Sequence, residues 1–427
     1  MIKALEIKQL TIFLRFKNVH HLFFVLPFLV LNFVPKDKEM KAKQVCWVVM
    51  AIALAACSGG KQSYGDERKQ EEGKFITYPM PDDLLASQRE LKLSELADSV
   101  WYVPLETTPQ CVLAEKFDHF RYKDSTFYVM DDYSKTVYVF SDKGKFLRNI
   151  GNKGNGPKEF HWCYQLVVDN GSLYILDVLN RIKKYDWEGN WIEDIKLTKQ
   201  PYRLLALKDG KLAAYISDDQ FPRKEDSYSW LVLDAEGDSL TCIDTNAWRE
   251  KKPVQNYWVE NEFSSQYPTA YKEAYNDSLY YFPSGSLQPV PYASIHPGIH
   301  RLDLEQTWEE VLDMAHGLRI SYIYDTPQYL FLTYKCMCTS SVQGGPLLGA
   351  FRKETGEFFN VFDENGEQKI TNDWGGPDFT LLACVYPNLL IGVAGADACP
   401  DEFAKKYRVK EDDNQVLVMI KCKTHQI

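Results

Sequence analysis

Three aspartates stand where they could hold a hard cation: Asp131, Asp132 and Asp177. Carboxylate oxygens are the ligands such ions take, and two or three converging on one point would make a metal site. Asp218 and Asp219 form a further acidic pair of the same kind. Asp131 and Asp177 each end a short apolar run, Phe127-Tyr128-Val129-Met130 and Leu173-Tyr174-Ile175-Leu176. They therefore equally suit turns, where a carboxylate accepts hydrogen bonds from turn amides. Asp132 is less expected from turn chemistry, because Asp131 already closes the run. If these aspartates only shape turns, Asn should replace them almost silently, since it supports the same turns.

Other chemistries leave weaker traces. His296 and His300 have the spacing of helical zinc ligands, but Pro297-Gly298 between them forbid that helix. Cys336 and Cys338 share one strand face, and no second close cysteine pair completes a metal set. There is no Gly-x-Ser-x-Gly elbow for an acyl-transfer serine. The glycine-rich run Gly151-Asn152-Lys153-Gly154-Asn155-Gly156-Pro157 lacks the Gly-Lys-Ser/Thr ending of a phosphate-cradling loop. No cofactor motif is found. A carboxylate pair for glycoside cleavage has no sequence signature and could sit among the many acidic residues.

What must position these residues is a pattern written twice. Tyr128 and Asp131 recur as Tyr174 and Asp177, and Val137, Phe140, Gly144 and Ile150 recur as Ile182, Tyr185, Gly189 and Ile195. A period of about 40–45 residues with short strands and glycine turns is the mark of propeller blades. The first strand of each copy is apolar at nearly every position, as befits a strand covered on both faces. The same hairpin spacing fits Trp230, Leu233, Gly237 and Ile243. It also fits Ile299, Leu302, Gln306 and Leu312, and, with one extra residue, Leu348, Phe351, Gly356 and Phe362. Val416-Leu417-Val418-Met419-Ile420 closes the count at six units. A strand over Ser99–Glu106, ahead of the first full repeat, is placed to complete the last blade beside 416–422, so that no sheet edge stays free. The reading is an all-β, six-bladed β-propeller over 91–427. Phe282–Pro297, Cys338–Gly349 and Ala394–Glu411 read as long inserted loops, where binding residues tend to gather.

The amino-terminal part reads differently. Met40 opens a complete export signal, with Lys41, Lys43 and an apolar stretch from Val45 to Ala53. Its ending, Leu54-Ala55-Ala56-Cys57, matches a lipobox, which makes Cys57 the lipidated first residue. Residues 1–39 are then an over-extended gene start, 40–56 the signal peptide and 57–90 a lipid-anchored linker. Residues 1–56 hold eight Lys/Arg and three Asp/Glu, so the remainder carries 41 basic and 56 acidic side chains, a formal charge of −15. Such a surface repels phosphate backbones and argues against a nucleic-acid partner. Attachment to a membrane would rest on the acyl chains.

The run from Ile150 through Phe160, Val168-Asp169, Leu173-Tyr174-Ile175-Leu176-Asp177, Asn180-Arg181-Ile182 and Tyr185 to Gly189 resembles an NHL-type repeat. With Val103-Pro104-Leu105-Glu106-Thr107-Thr108 and Asp413-Asn414-Gln415-Val416-Leu417-Val418, the chain is similar to the six-bladed propeller lipoproteins of Gram-negative gut anaerobes. The resemblance implies an outer-membrane lipoprotein facing either the periplasm or the outside. It brings no catalytic residues. The expected function is that of a binding module for a glycan, a peptide or another envelope protein. The alternative is an envelope hydrolase or lyase with a metal-containing site in the propeller channel, for which Asp131, Asp132 and Asp177 are the candidate ligands.

Overall fold

The computed structural model describes residues 75–131, 133–169, 171–207, 210–216, 228–244, 270–273, 276–301, 318–336, 346–385 and 388–424. Its first strands are β1 (Ile76–Pro79), β2 (Gln88–Arg89) and, after the short helix α1 (Leu93–Leu96), β3 (Ala97–Pro104). Blade 1 follows as β4 (Phe117–Lys123), β5 (Thr126–Asp131), β6 (Val137–Ser141) and β7 (Phe146–Ile150). Blade 2 is β8 (Cys163–Asp169), β9 (Ser172–Asp177), β10 (Arg181–Asp186) and β11 (Trp191–Lys196). Blade 3 is β12 (Arg203–Ala206), β13 (Leu212–Tyr215), β14 (Trp230–Leu233) and β15 (Ser239–Ile243). Blade 4 has β16 (Ala270–Lys272), β17 (Ser278–Tyr281) and β18 (Val290–His296), and takes β1 as its outer strand. Blade 5 has β19 (Leu318–Asp325), β20 (Tyr329–Cys336), β21 (Leu347–Arg352) and β22 (Phe358–Val361), with β2 added outside. Blade 6 has β23 (Thr380–Val385), β24 (Leu389–Ala394) and, after helix α2 (Asp401–Tyr407), β25 (Val416–Cys422), with β3 outermost. The chain is a six-bladed β-propeller.

The sequence repeat is a repeat of register. Phe117 faces Asp131 in blade 1 as Cys163 faces Asp177 in blade 2, and both first strands bulge just after that pair. The second strands of both blades and the third strand of blade 1 are buried along nearly their whole length, because neighbouring blades cover both faces. The interface between blades 1 and 2 packs Tyr128, Met130, Val137 and Ile150 against Leu166, Leu173, Ile175 and Tyr185.

Closure uses both ends of the chain, as the strand at 99–106 suggested. β3 pairs antiparallel with β25, Pro104 opposite Val416 and Trp101 opposite Met419. The blade 1 turn then docks on the end of β3: Glu106 N–H donates to the Gly144 carbonyl at 2.8 Å. A Cβ at Gly144, whose φ is +76°, would come 2.1 Å from the Pro104 carbonyl oxygen. Only glycine fits that approach.

Four expectations change. Residues 75–90, assigned to the linker, are built into the rim: β1 runs parallel to β18 and β2 parallel to β22. Their pairing cannot be seen in a local pattern, because a parallel partner lies hundreds of residues away. Phe282–Pro297 is not irregular throughout, since β18 occupies 290–296 despite Pro291. Pro291 sits at the register shift opposite Tyr280, where a missing amide does little harm. Ile299 lies in a single turn of 3-10 helix and not in a hairpin, and Leu302, Gln306 and Leu312 fall outside the described residues. The stretch Ala394–Glu411 contains α2, whose Phe403 packs edge-on against Tyr102 at 4.8 Å.

Candidate functional site

In each blade the first strand lines the channel, so the connections entering it and those between its second and third strands leave from one end of the ring. Around blades 1–3 this end displays large apolar side chains: Tyr133 is 92% exposed, Leu179 65%, and Trp162 and Tyr202 are partly exposed. The opposite turns of these blades, such as Asp142–Gly144 and Trp187–Gly189, are short and expose none among the described residues. Lys135, Leu179 and Asn180, in the second-to-third-strand turns of blades 1 and 2, all have positive φ, between 51° and 68°. Such residues are not confined to this end: Asp124 and Ser125, in the β4–β5 turn on the opposite end, have φ of 47° and 57°.

Asp131 and Asp177 sit at equivalent places beneath this face. Asp131 accepts the Ala114 amide at 2.5 Å and the Ser134 amide at 2.6 Å, one on each oxygen. Asp177, fully buried, accepts the amides of His161, Trp162 and Val178 on one oxygen and Arg181 Nε and Nη2 on the other. Each carboxylate thus ties the entry to its own blade's first strand, and the two are not brought together. Asp177 does more than shape its turn, since it also pairs with the Arg181 guanidinium, so Asn there is not expected to be silent. Asp132, Asp218 and Asp219 lie outside the described residues. Among the described residues, no group of three or more His, Cys, Asp and Glu side chains is placed to hold a metal.

His296 and His300 hold the amino-terminal segment. The Met80 amide donates to the His296 carbonyl at 2.9 Å, and the buried His300 ring bonds the Pro81 carbonyl through Nε2. The Gly154, Gly156, Glu159 and Phe160 amides are bonded within their own loop, which leaves those donors unable to cradle a phosphate.

The channel wall carries cations instead. His119 and Arg121 lie on β4, and Arg203 begins β12. Burial, reinforced by the Arg121 and Arg203 charges, pushes the His119 imidazole down to about 3, although a bond to the Cys163 backbone opposes the shift. Lys135 is close enough to add to the effect. Burial lowers the Arg121 guanidinium to about 10, with Tyr322 and Cys163 opposing and Arg203 contributing, so it stays charged at neutral pH. Arg121 Nη1 donates to the Phe120 carbonyl at 2.7 Å. Among the described residues, these cations are what the sequence reasoning missed. The available signal was Phe117-Asp118-His119-Phe120-Arg121-Tyr122-Lys123, a polar first strand beside apolar second and third strands.

His119 is neutral in the folded protein down to about pH 3, whereas in the unfolded chain it protonates near pH 6.5. Between those values the unfolded chain holds the extra proton, so this group's contribution is full above pH 6.5 and is lost as pH falls. The melting-temperature advantage of wild type over His119→Gln should shrink between pH 7 and pH 4.5. A constant difference across that range would mean that His119 titrates normally.

Among solved structures, the chain is similar to a protein of Bacteroides fragilis inferred to be exported, at 16% identity and a TM-score of 0.58 over 82% of this chain and 100% of that one. A member of the DUF4221 family from Bacteroides vulgatus matches at 12% identity and a TM-score of 0.42, covering 77% of this chain and 98% of that one. No curated protein matches the chain. The model of one family, Domain of unknown function (DUF4934), matches residues 75–421, which takes in all six blades and the amino-terminal strands that complete three of them; the chain belongs to that family.

Proposed function

We propose that this propeller is a lipid-anchored binding module of the bacterial cell envelope, and that it takes an anionic ligand where the long connections of blades 1–3 surround the channel. The observation that carries the reading is the placement of His119 and Arg121 on β4 and of Arg203 on β12, first strands that line the channel beneath the exposed side chains of this end, in a chain whose formal charge from Cys57 onward is −15. A local positive site on a negative protein selects for an anion by short-range contact, since the long-range field opposes it. Exposed Tyr133, Trp162, Leu179 and Tyr202 supply apolar contact at the same end. Conserving charge in a protected lumen while offering aromatic surface at the mouth is the composition of a ligand site.

The lipobox at Cys57 and the likeness to a protein inferred to be exported support an envelope location. No helix among the described residues is long and apolar enough to cross a membrane. Cys57→Ala should abolish lipidation and leave uncleaved precursor, as read by mass spectrometry in the native host. A mature protein beginning at Met1 would contradict the export reading.

The binding reading is tested by a thermal-shift screen of the full-length protein with anionic and neutral oligosaccharides, peptides and divalent ions. A ligand that binds only the folded form must raise the melting temperature. The reading expects anionic compounds to do so. Stabilisation by divalent ions alone, reversed by chelator, would instead favour the hydrolase or lyase reading.

A further inference from the structure

Three exposed side chains, Tyr133, Trp162 and Leu179, form a row across the loop end of blades 1 and 2, each on backbone pinned by a buried carboxylate. Tyr133, 92% exposed, precedes Ser134, whose amide donates to Asp131 Oδ2 at 2.6 Å. The Trp162 and Val178 amides both donate to Asp177 Oδ1 at 2.9 Å, which sets Trp162 beside the turn that carries Leu179. The Trp162 ring in turn packs against the side chain of Lys135, two residues from Tyr133, with Nζ 4.6 Å from the ring centre. Leu179 is 65% exposed and has a φ of +68°. Among the described residues with positive φ, it is the one with an apolar side chain other than glycine. Glycine or asparagine would hold that backbone at a lower cost in free energy. The turn is fixed from below. Gln200 Oε1 accepts the Asn180 amide at 2.9 Å, and the Asn180 carbonyl accepts the Leu197 amide at 2.7 Å. The chain thus keeps an apolar side chain in solvent on a strained and immobilised backbone.

Building on the anionic-binding reading above, we infer that this row is a docking surface for another envelope protein, one that presents an apolar depression rimmed by carboxylates. Side chains as exposed as Tyr133 and Leu179 project from the surface, whereas a small-ligand site is concave and surrounds what it binds. Apolar side chains on fixed backbone suit a partner with pockets of its own, since little freedom is left to lose on docking. A saccharide finds few partners here. The amides of Ser134, Lys135, Trp162, Val178 and Asn180 are all bonded within the protein, and leucine gives a hydroxyl group nothing to bond. The charge of the partner follows from the connections beside the row. In residues 151–162 and 197–202, which lead into blades 2 and 3, the exposed charged side chains are Lys153, Lys158 and Lys199. Glu159, the carboxylate in these connections, accepts the Gly156 amide at 2.8 Å. Glu115 and Lys116, at the entry to blade 1, offset each other. A carboxylate rim would meet the three lysines by short-range contact, within the screening length of salt.

Photocrosslinking in the native host tests the inference, on the full-length protein with benzoylphenylalanine placed at Tyr133 or, as a control, at Lys143 in the β6–β7 turn. The probe at Tyr133 should join one other protein, through an apolar segment flanked by Asp or Glu as mapped by mass spectrometry. The probe at Lys143 should not. Calorimetry with that partner, once purified, then reads the surface. Trp162→Ala and Leu179→Asp should each weaken binding roughly tenfold or more. Lys153→Ala, a change on an exposed side chain, should weaken it several-fold and flatten its dependence on salt. Leu179→Asn separates contact from folding. It should raise the melting temperature by relieving the turn, yet still weaken the partner about tenfold. Full affinity in Leu179→Asn would reduce Leu179 to a turn residue and overturn the docking surface. Adducts at Tyr133 confined to glycan, lipid or a second copy of this chain would also overturn it, as would no adduct at all. An adduct to an acidic glycan would leave the anionic binding reading standing. If Tyr133 gave no adduct and no anionic compound raised the melting temperature, both would fall.

Discussion

Deletion of residues 75–104 should leave no soluble, monomeric propeller. The deleted stretch supplies the outer strand of blade 4, the added strand of blade 5 and the closing strand of blade 6. It also carries Leu91, Leu93, Leu96 and Val103, each buried against blade 1, 5 or 6. Full burial of such side chains is worth about 1.5–3 kcal/mol each. Their combined loss, roughly 8 kcal/mol, is comparable to the whole stability of a typical domain, about 5–15 kcal/mol. The deletion also bares β25, Val416–Cys422, an almost wholly buried strand whose open edge would pair with another chain. Light scattering after size exclusion should show aggregates. Deleting only 75–90 removes β1 and β2 but keeps closure, and should give a folded monomer with a lowered melting temperature. A monomer with an unchanged melting temperature after the longer deletion would show that β3 does not close the ring.

Asp177→Asn is expected to cost about 3 kcal/mol, the usual loss when one partner of a buried ion pair is removed and the other stays charged. Asp177 is fully buried, and the Arg181 side chain facing it at 2.7 Å is 18% exposed; Asp194 at 3.6 Å remains as a second carboxylate for Arg181, which keeps the expected cost at the low end of the range. The substitution also turns one acceptor oxygen into a donor. Asp131→Asn should cost less, roughly 1–3 kcal/mol, because it sacrifices one amide contact and strands no charge. Urea denaturation of Asp177→Asn, Arg181→Met and the double variant measures the coupling. A coupling energy near zero, with Asp177→Asn as stable as wild type, would mean that the carboxylate only shapes its turn.

The blades that were legible in the sequence are those whose signals are local. Phe127–Asp131 and Leu173–Asp177 declare two-sided burial, and Gly144 and Gly189 mark the turns. Trp230–Ile243 and Leu348–Phe362 also fall on hairpins where the spacing put them. Blade 4 was not legible because its outer strand comes from 76–79, in parallel, and its third strand tolerates Pro291 at a bulge. At the site, the aspartates attract attention because carboxylates at strand ends are conspicuous, yet at Asp131 and Asp177 they face backbone amides. His119 and Arg121 are single polar residues in a first strand, and only ring closure brings them near Arg203. Trp162 and Lys135 are likewise distant in sequence and meet because blades 1 and 2 are neighbours.

The central claim is that the loop end of blades 1–3 is where this protein works. Hydrogen–deuterium exchange of the full-length protein with and without the compound that most raises its melting temperature in the thermal-shift screen tests it directly. Protection should appear in peptides spanning 133–136, 158–165, 178–182 and 200–204, which share that end, and not at the opposite turns 142–145 and 187–190. Protection confined to those opposite turns or to the outer rim strands would contradict it.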